Sequence, residues 1–226
     1  VAVSSTEIRE LSDVTLVSVT GVDSDATLYA MQRCLSGLRF ARAILIASAP
    51  PSTLDPRVEY IRIGPMNYAG YSRFILKELH NYITTSHALV VQADGFVINA
   101  DRWNPDWLRF DYIGAPFPPV IKVGKYDIEL TNRVGNGGFS LRSRRLLQLV
   151  SEIKLETLRY PTINEDMIVC HLLHDYLVGK GSRFADIETA ADFSIDERPF
   201  GRTFATTFGF HGKHNLLALQ NAEKIT

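Results

Sequence analysis

Apolar residues along this chain fall into two rhythms. Val14-Thr-Leu-Val-Ser-Val19, Ala43-Ile-Leu-Ile-Ala47 and Ala88-Leu-Val-Val91 are short runs dense in aliphatic and β-branched residues, the pattern of strands buried on both faces of a sheet. Between them, Ala26 to Leu38 places Leu28, Met31, Leu35 and Leu38 on one helical face, and Tyr71 to Ile83 does the same with Phe74, Leu76, Leu79 and Ile83. Ser24 or Asp25 is the expected N-cap of the first helix, and Val58-Glu-Tyr-Ile-Arg-Ile63 alternates as a shorter strand. The first half therefore reads strand, helix, strand, strand, helix, strand. That order predicts an α/β protein, a Rossmann-like three-layer sandwich with a mostly parallel sheet.

The second half has a different texture. Asn99 to Pro119 interleaves Trp103, Trp107, Phe110, Tyr112 and Phe117 with four prolines, which suits either the rigid wall of a pocket or a packed cap over the sheet. Glycines surround Asn136 in Gly135-Asn-Gly-Gly138, and a short strand follows; Ser143 is positioned to cap a helix through Leu146, Leu147 and Val150. Asn164 opens a further helix with Glu165 and Asp166 in its first turn. Phe193 and Ile195 end a mixed stretch and are expected to close a short strand, and Thr207-Phe-Gly-Phe-His211 is an aromatic strand closing on a histidine before a last helix over Asn215 to Ala222. No repeat or linker divides the chain, so 1–226 is expected to be one domain.

Composition narrows the partners. With 226 residues, 46% hydrophobic and 22% charged, the chain is that of an ordinary globular domain with a sizeable core. A formal charge of −1 gives no reason to expect nucleic acid, so an anionic ligand must be met by a local site. Cys34 and Cys170 show no metal or disulfide spacing; reduced thiols in the cytoplasm are the simplest account. No apolar run is long enough for an integral membrane segment, and no signal peptide is evident. The chain begins at Val1 rather than Met, consistent with a domain of something longer.

Chemistry-bearing residues recur at strand ends and at one helix start: Asp94-Gly95, Gly135 to Gly138, Glu165-Asp166 and His211. In open α/β sheets ligands collect outside the carboxyl ends of the strands. A carboxylate oxygen and an imidazole can hold a divalent metal whose remaining ligands are diphosphate oxygens. Glycines let the backbone approach a bulky ligand, and a second carboxylate can take a proton from an attacking hydroxyl. Each feature also has a structural reading: an Asp-Gly turn, a hairpin, first-turn acids complementing the helix dipole, a packed histidine. The G-x-G-x-x-G dinucleotide fingerprint and the P-loop are both missing.

The order Gln92-Ala-Asp94-Gly95-Phe96, Asp111-Tyr-Ile-Gly-Ala-Pro116, Gly135-Asn-Gly-Gly-Phe-Ser-Leu-Arg-Ser143, Asn164-Glu-Asp166 and Phe208-Gly-Phe-His211 resembles the DUF5672 family, regarded as glycosyltransferase-like with a GT-A fold. The resemblance runs from about Tyr71 to His211. It implies that Asp94 is the last acid of a metal-binding DxD whose first acid is replaced by Gln92, and that His211 completes the metal site for Mn²⁺ or Mg²⁺. It further implies Asp166 as catalytic base with Glu165 orienting the acceptor, and a donor-sugar floor of Gly95, Asn136, Gly137 and Gly138. Thr20, Tyr71, Ser72, Gln92 and Ala93 are the expected nucleotide contacts. The implied activity is metal-assisted, inverting transfer of a sugar from a nucleoside-diphosphate sugar, expected to be uridine-linked, to a glycan or other hydroxyl acceptor. A non-catalytic carbohydrate-binding module stacking glycans on Trp103 to Phe117, and a metal-dependent nucleotidyltransferase or phosphoesterase, are the competing readings.

Overall fold

The computed structural model describes residues 8–197 and 200–225. Its centre is a six-stranded sheet in the order β3-β2-β1-β4-β8-β5. The strands are β1 (Arg9–Thr20), β2 (Leu38–Ala47), β3 (Glu59–Arg62), β4 (His87–Val90), β5 (Tyr112–Ile113) and β8 (Ser140–Ser143). β1 to β4 run parallel, and β8 lies antiparallel to both β4 and β5. Helices α1 (Ser24–Leu35), α2 (Tyr68–Lys77) and α3 (Arg144–Ser151) flank the sheet, joined later by α4 (Glu165–Met167), α5 (His174–Gly179), α6 (Ile187–Phe193) and α7 (Lys213–Ile225). The mostly parallel α/β sandwich expected from the hydrophobic pattern is what forms.

Alternation along the buried strands sorts side chains into two cores, one on each face. Leu16 of β1, Leu45 of β2 and Leu89 of β4 face α1, where Leu28, Met31 and Cys34 meet them. Val17, Ile44 and Val90, each adjacent in sequence to one of these, face α2 and pack on Ile75 and Leu79. Trp103 and Trp107 belong to the first core. They contact each other edge to face at 5.5 Å and pack on Phe208 and Phe193, so this part of the aromatic stretch is the packed cap rather than a pocket wall. An exposed stacking platform of tryptophans, which the carbohydrate-binding module needs, is thereby absent.

Local chemistry departs from expectation in three places. Asp23, not Ser24 or Asp25, caps α1, its Oδ1 accepting from the Ala26 amide at 2.9 Å; the Asp25 carboxylate is instead used by Ser52. Asn67 starts α2 three residues early through the Gly70 amide at 2.9 Å. A hairpin of β6 (Val120–Val123) and β7 (Tyr126–Glu129), unanticipated in the sequence, turns at Gly124 with φ +59° and stands outside the main sheet. Among the described residues no helix is long and apolar enough to cross a membrane.

The sheet core sets the stability. Leu16 is fully buried in the middle strand pair. Replacing it by Ala is expected to cost about 2–5 kcal/mol of unfolding free energy, measured by urea denaturation.

Candidate functional site

Chain direction decides where ligands gather. From β1 the chain crosses to β2 and β3 on one side and then returns to β4 on the other, so a crevice opens beyond the carboxyl ends of β1 and β4. A cavity of about 680 Å³ lies there. Thr20, Gly21 and Asp23 leave β1 along one wall, Gln92 to Asp94 follow β4, Met66, Tyr68 and Tyr71 come from the start of α2, and Lys213, Leu216 and Leu217 of α7 close it. The lining is mostly apolar, with Tyr68, Tyr71 and Met66 offering flat or adaptable surface and Asp23, Asp94 and Lys213 the charges.

The floor is built by backbone pairing at long range. Gln92 and Gly95 exchange both backbone hydrogen bonds, 3.2 and 3.0 Å, which turns the chain tightly and presents Asp94. Two short strands, β9 (Ser194–Ile195) and β10 (Gly209–Phe210), pair in parallel, and the His211 amide donates to the Ile195 carbonyl at 2.8 Å. The Gly212 amide donates to the Asp94 carbonyl at 2.9 Å. These bonds leave the His211 ring between two carboxylates, Nε2 at 3.6 Å from Asp94 Oδ1 and Nδ1 at 3.5 Å from Asp196 Oδ1. Gln92 Oε1 is 3.2 Å from Nε2, while its amide nitrogen donates to the Tyr71 hydroxyl at 2.8 Å. Asn136, held at φ +58°, donates to Asp196 Oδ2 at 2.7 Å and lies 3.0 Å from His211 Nδ1. Burial pulls the imidazole pKa down, but Asp196 above all, then Asp94 and Asp166, raise it by more, so it sits above the ordinary histidine value.

The second carboxylate group stands on the other side of the histidine. Glu165 and Asp166 open α4, a single turn followed at once by a wider π-type turn over Ile168–Leu172, closed by Leu173 N–H to Ile168 C=O at 2.9 Å. Glu165 is buried, and both its oxygens take a guanidinium nitrogen of Arg142 at 2.9 Å. Arg142 itself is fully buried on β8, stacks over Tyr112 at 5.1 Å and donates to Ser140 Oγ and to the Gly137 carbonyl. Asp166 points the other way. Its oxygens accept from the Met167 amide at 2.7 Å and the Gly137 amide at 3.1 Å, and it lines a second cavity of about 630 Å³ beneath the β6–β7 hairpin. Burial, then the neighbouring Glu165 charge, push the Asp166 carboxyl up to about 6 despite those amides and Arg142.

The expected site residues thus divide. Thr20, Tyr71, Gln92, Ala93 and Asp94 line the first cavity, and His211 adjoins it. Ser72 turns inward, 2% exposed, and is not part of that lining. Glycines at 95, 137 and 138 make room for protein: an added Cβ would come 2.9 Å from His211 at Gly95, 1.9 Å from Glu165 Oε1 at Gly137 and 2.0 Å from His211 Nε2 at Gly138. Glu165 is buried, with one hydrogen bond from Arg142 on each of its oxygens. Arg142, which its neighbours Arg144 and Arg145 make look like part of a solvated basic face, is the buried partner. Asp196 was missed although it directly follows a short predicted strand, the same signal that marked Asp94.

Asp94 Oδ1 and His211 Nε2 lie 3.6 Å apart at the cavity floor. Ligands about 2.0–2.2 Å from a metal stand roughly 3 Å apart at right angles and about 3.5 Å apart at a tetrahedral angle, so this spacing is closer to the second. Among the described residues no group of three His, Cys, Asp or Glu converges. A divalent cation held by these two side chains would take its other ligands from water or a bound anion.

Residues 58–211 match the model of DUF5672, a protein family of unknown function. The chain belongs to the DUF5672 family. No curated protein sequence matches this DUF5672 protein. Among solved structures, a glycosyltransferase involved in the glycosylation of the major capsid of PBCV-1 aligns over 88% of this chain and 92% of its own, at 15% identity and TM-score 0.49. The bifunctional IspDF from Campylobacter jejuni aligns over 77% and 49% at 13% identity and TM-score 0.49. The mannosyltransferase PcManGT from Pyrobaculum calidifontis, in complex with GDP-Man and Mn²⁺, aligns over 78% and 56% at 11% identity and TM-score 0.47. The DUF5672 chain spans about half the length of the latter two. These are likenesses of backbone architecture at low identity.

The buried Arg142–Glu165 pair yields a stability prediction. Glu165→Gln leaves a guanidinium buried without its counter-charge and is expected to cost about 3–5 kcal/mol by urea denaturation. Glu165→Leu combined with Arg142→Met is expected to recover most of that loss, since no charge is then left unpaired.

Proposed function

We propose that this protein is a GT-A-type glycosyltransferase that moves a sugar from a nucleoside-diphosphate sugar to an acceptor hydroxyl. The observation that carries the reading is the position of His211 between two cavities, with Asp94 on one side and Asp196, beside Asp166, on the other. The first cavity suits a nucleotide: apolar and aromatic where a base and ribose lie, with Thr20, Tyr71, Gln92 and Ala93 along it, and charged near Asp94 and Lys213 where a diphosphate lies. In this reading residues 1–98 supply most of the nucleotide side and 99–226 the sugar and acceptor side, with α7 reaching back to close the first cavity. Gly95, Asn136, Gly137 and Gly138 shape the junction where the donor sugar sits.

Asp94 and His211 would hold Mn²⁺ or Mg²⁺, which when bound neutralises charge on the leaving diphosphate. Asp166 is the base. Its carboxylate accepts the proton of the acceptor hydroxyl as that oxygen forms a bond to the anomeric carbon. The bond from the anomeric carbon to the diphosphate oxygen breaks, and its electron pair leaves with the diphosphate. Attack from the Asp166 side, opposite the leaving group, inverts the configuration. A carboxyl group pushed up to about 6 is ionised at neutral pH yet more basic than an ordinary aspartate, which suits it to this task. Glu165 acts through Arg142 and the Gly137 backbone, fixing where Asp166 stands. A uridine-linked donor rests on the family resemblance alone.

Calorimetry with UDP and Mn²⁺, together with mass spectrometry of products from a panel of sugar nucleotides, tests the reading. Asp166→Asn is expected to bind UDP normally while turnover falls by roughly 10²–10⁴-fold. Asp94→Ala is expected to lose metal-dependent UDP binding. Wild-type turnover in Asp166→Asn, or full activity in excess chelator, would show the assignments to be wrong.

The raised Asp166 value has a sign that can be followed in two measurements. A base must be ionised, so turnover should rise with pH through about 6 and then level off. Because the folded value lies above the ordinary 3.8, the folded state loses stability relative to the unfolded as pH rises from 3.8 to about 6, and the whole penalty persists above that. Asp166→Asn should therefore melt no lower than wild type at pH 8 while being inactive.

A further inference from the structure

The second cavity has a chemistry of its own. One wall is apolar, made by Phe117 and Pro118 and by Ile121 and Val123 of the hairpin. Oxygen acceptors make the other: Asn164, Asp166, Asp196 and Glu197, with the Thr162 hydroxyl already donating to Asn164 Oδ1 at 2.7 Å. Lys122 is the one cation among its described lining residues. Its volume, about 630 Å³, lies within the range of small-ligand sites.

We propose that this cavity is the acceptor site and that the acceptor is an uncharged saccharide, entering between the hairpin and α4. The proposal rests on the transferase reading above and adds the substrate class. A saccharide presents a C–H face to the apolar wall and hydroxyl donors to the carboxylates. Carboxylates are acceptors only, so the wall that holds Asp166, Asp196 and Glu197 selects a ligand rich in O–H groups. A peptide segment brings carbonyl acceptors in equal number with its amides, and those carbonyls find few donors here. An acceptor carrying phosphate, sulfate or carboxylate meets like charge from three sides, and like-charge juxtaposition excludes wrong partners. The hydroxyl that reaches deepest meets Asp166, and across His211 lies the floor of the first cavity.

The test reads binding directly, without turnover. The isotopically labelled full chain is titrated with neutral trisaccharides built on glucose, galactose, mannose and N-acetylglucosamine, with trigalacturonate, and with an unmodified Ser/Thr-rich peptide. Amide shifts are followed by NMR. At least one neutral trisaccharide is expected to move residues 120–124, 162–167 and 196, with trigalacturonate and the peptide leaving them still. Glu197→Lys, on an exposed side chain, is expected to strengthen trigalacturonate binding by roughly threefold to tenfold. The proposal is overturned if no neutral trisaccharide moves those residues, if trigalacturonate or the peptide binds the wild type as tightly, or if Glu197→Lys leaves trigalacturonate binding unchanged. UDP with Mn²⁺, titrated separately, reports on residues 20–23, 92–94 and 213–217. Its failure there counts against the transferase reading, independently of what the trisaccharides do.

Discussion

The arrangement depends on one buried ion pair. Arg142 sits on β8, the antiparallel strand of the sheet, and Glu165 on the first turn of α4. The pair joins them in a dry setting where all three guanidinium nitrogens and both carboxylate oxygens are used. Because Arg142 also holds the Gly137 carbonyl, the same cation pins the glycine whose own amide reaches Asp166. A charged pair withdrawn from water contributes little to net stability compared with well-packed apolar residues, but it tolerates little misplacement. Its value here is geometric. Consecutive acids on one turn are sent in opposite directions, Glu165 onto the buried arginine and Asp166 to the wall of the second cavity.

His211 depends on a second constraint, the parallel pairing of two dipeptides, Ser194–Ile195 and Gly209–Phe210. Strands of two residues have little stability alone. They persist because Phe193, Phe208 and Phe210 are anchored in the aromatic core formed with Trp103, Trp107 and Phe139. The aromatic stretch that looked like a pocket wall thus serves the site at one remove: it holds the strands that hold the histidine. Only its end, at Phe117, reaches a cavity directly.

Much of the fold was legible because buried parallel strands leave an unbroken apolar signature, and β1, β2 and β4 each carry one. The hairpin was not, since Val120 to Glu129 is mostly exposed and only Ile121, Val123 and Ile128 pack, half-buried, on the small cluster of Phe117, Leu130 and Met167. At the site, Asp94 and His211 stood out because each closes an apolar or aromatic run. Asp196 follows only two strand residues and so gave a weaker form of the same signal. Arg142 was the harder case. Three arginines within four positions look like one charged surface, and nothing in a one-dimensional pattern says which of them finds a buried partner 23 positions away.

Helix α7 adds a wall made from the far end of the chain. Lys213, Leu216 and Leu217 face the first cavity, and Arg33 of α1 holds Glu223 near the other end of the helix at 2.7 Å. Whatever occupies that cavity touches both the earliest crossover of the sheet and its final segment, so occupancy and the docking of this helix must favour each other. During synthesis every strand of the sheet emerges before Lys213, Leu216 and Leu217, so the sheet is complete before this wall of the cavity can be added.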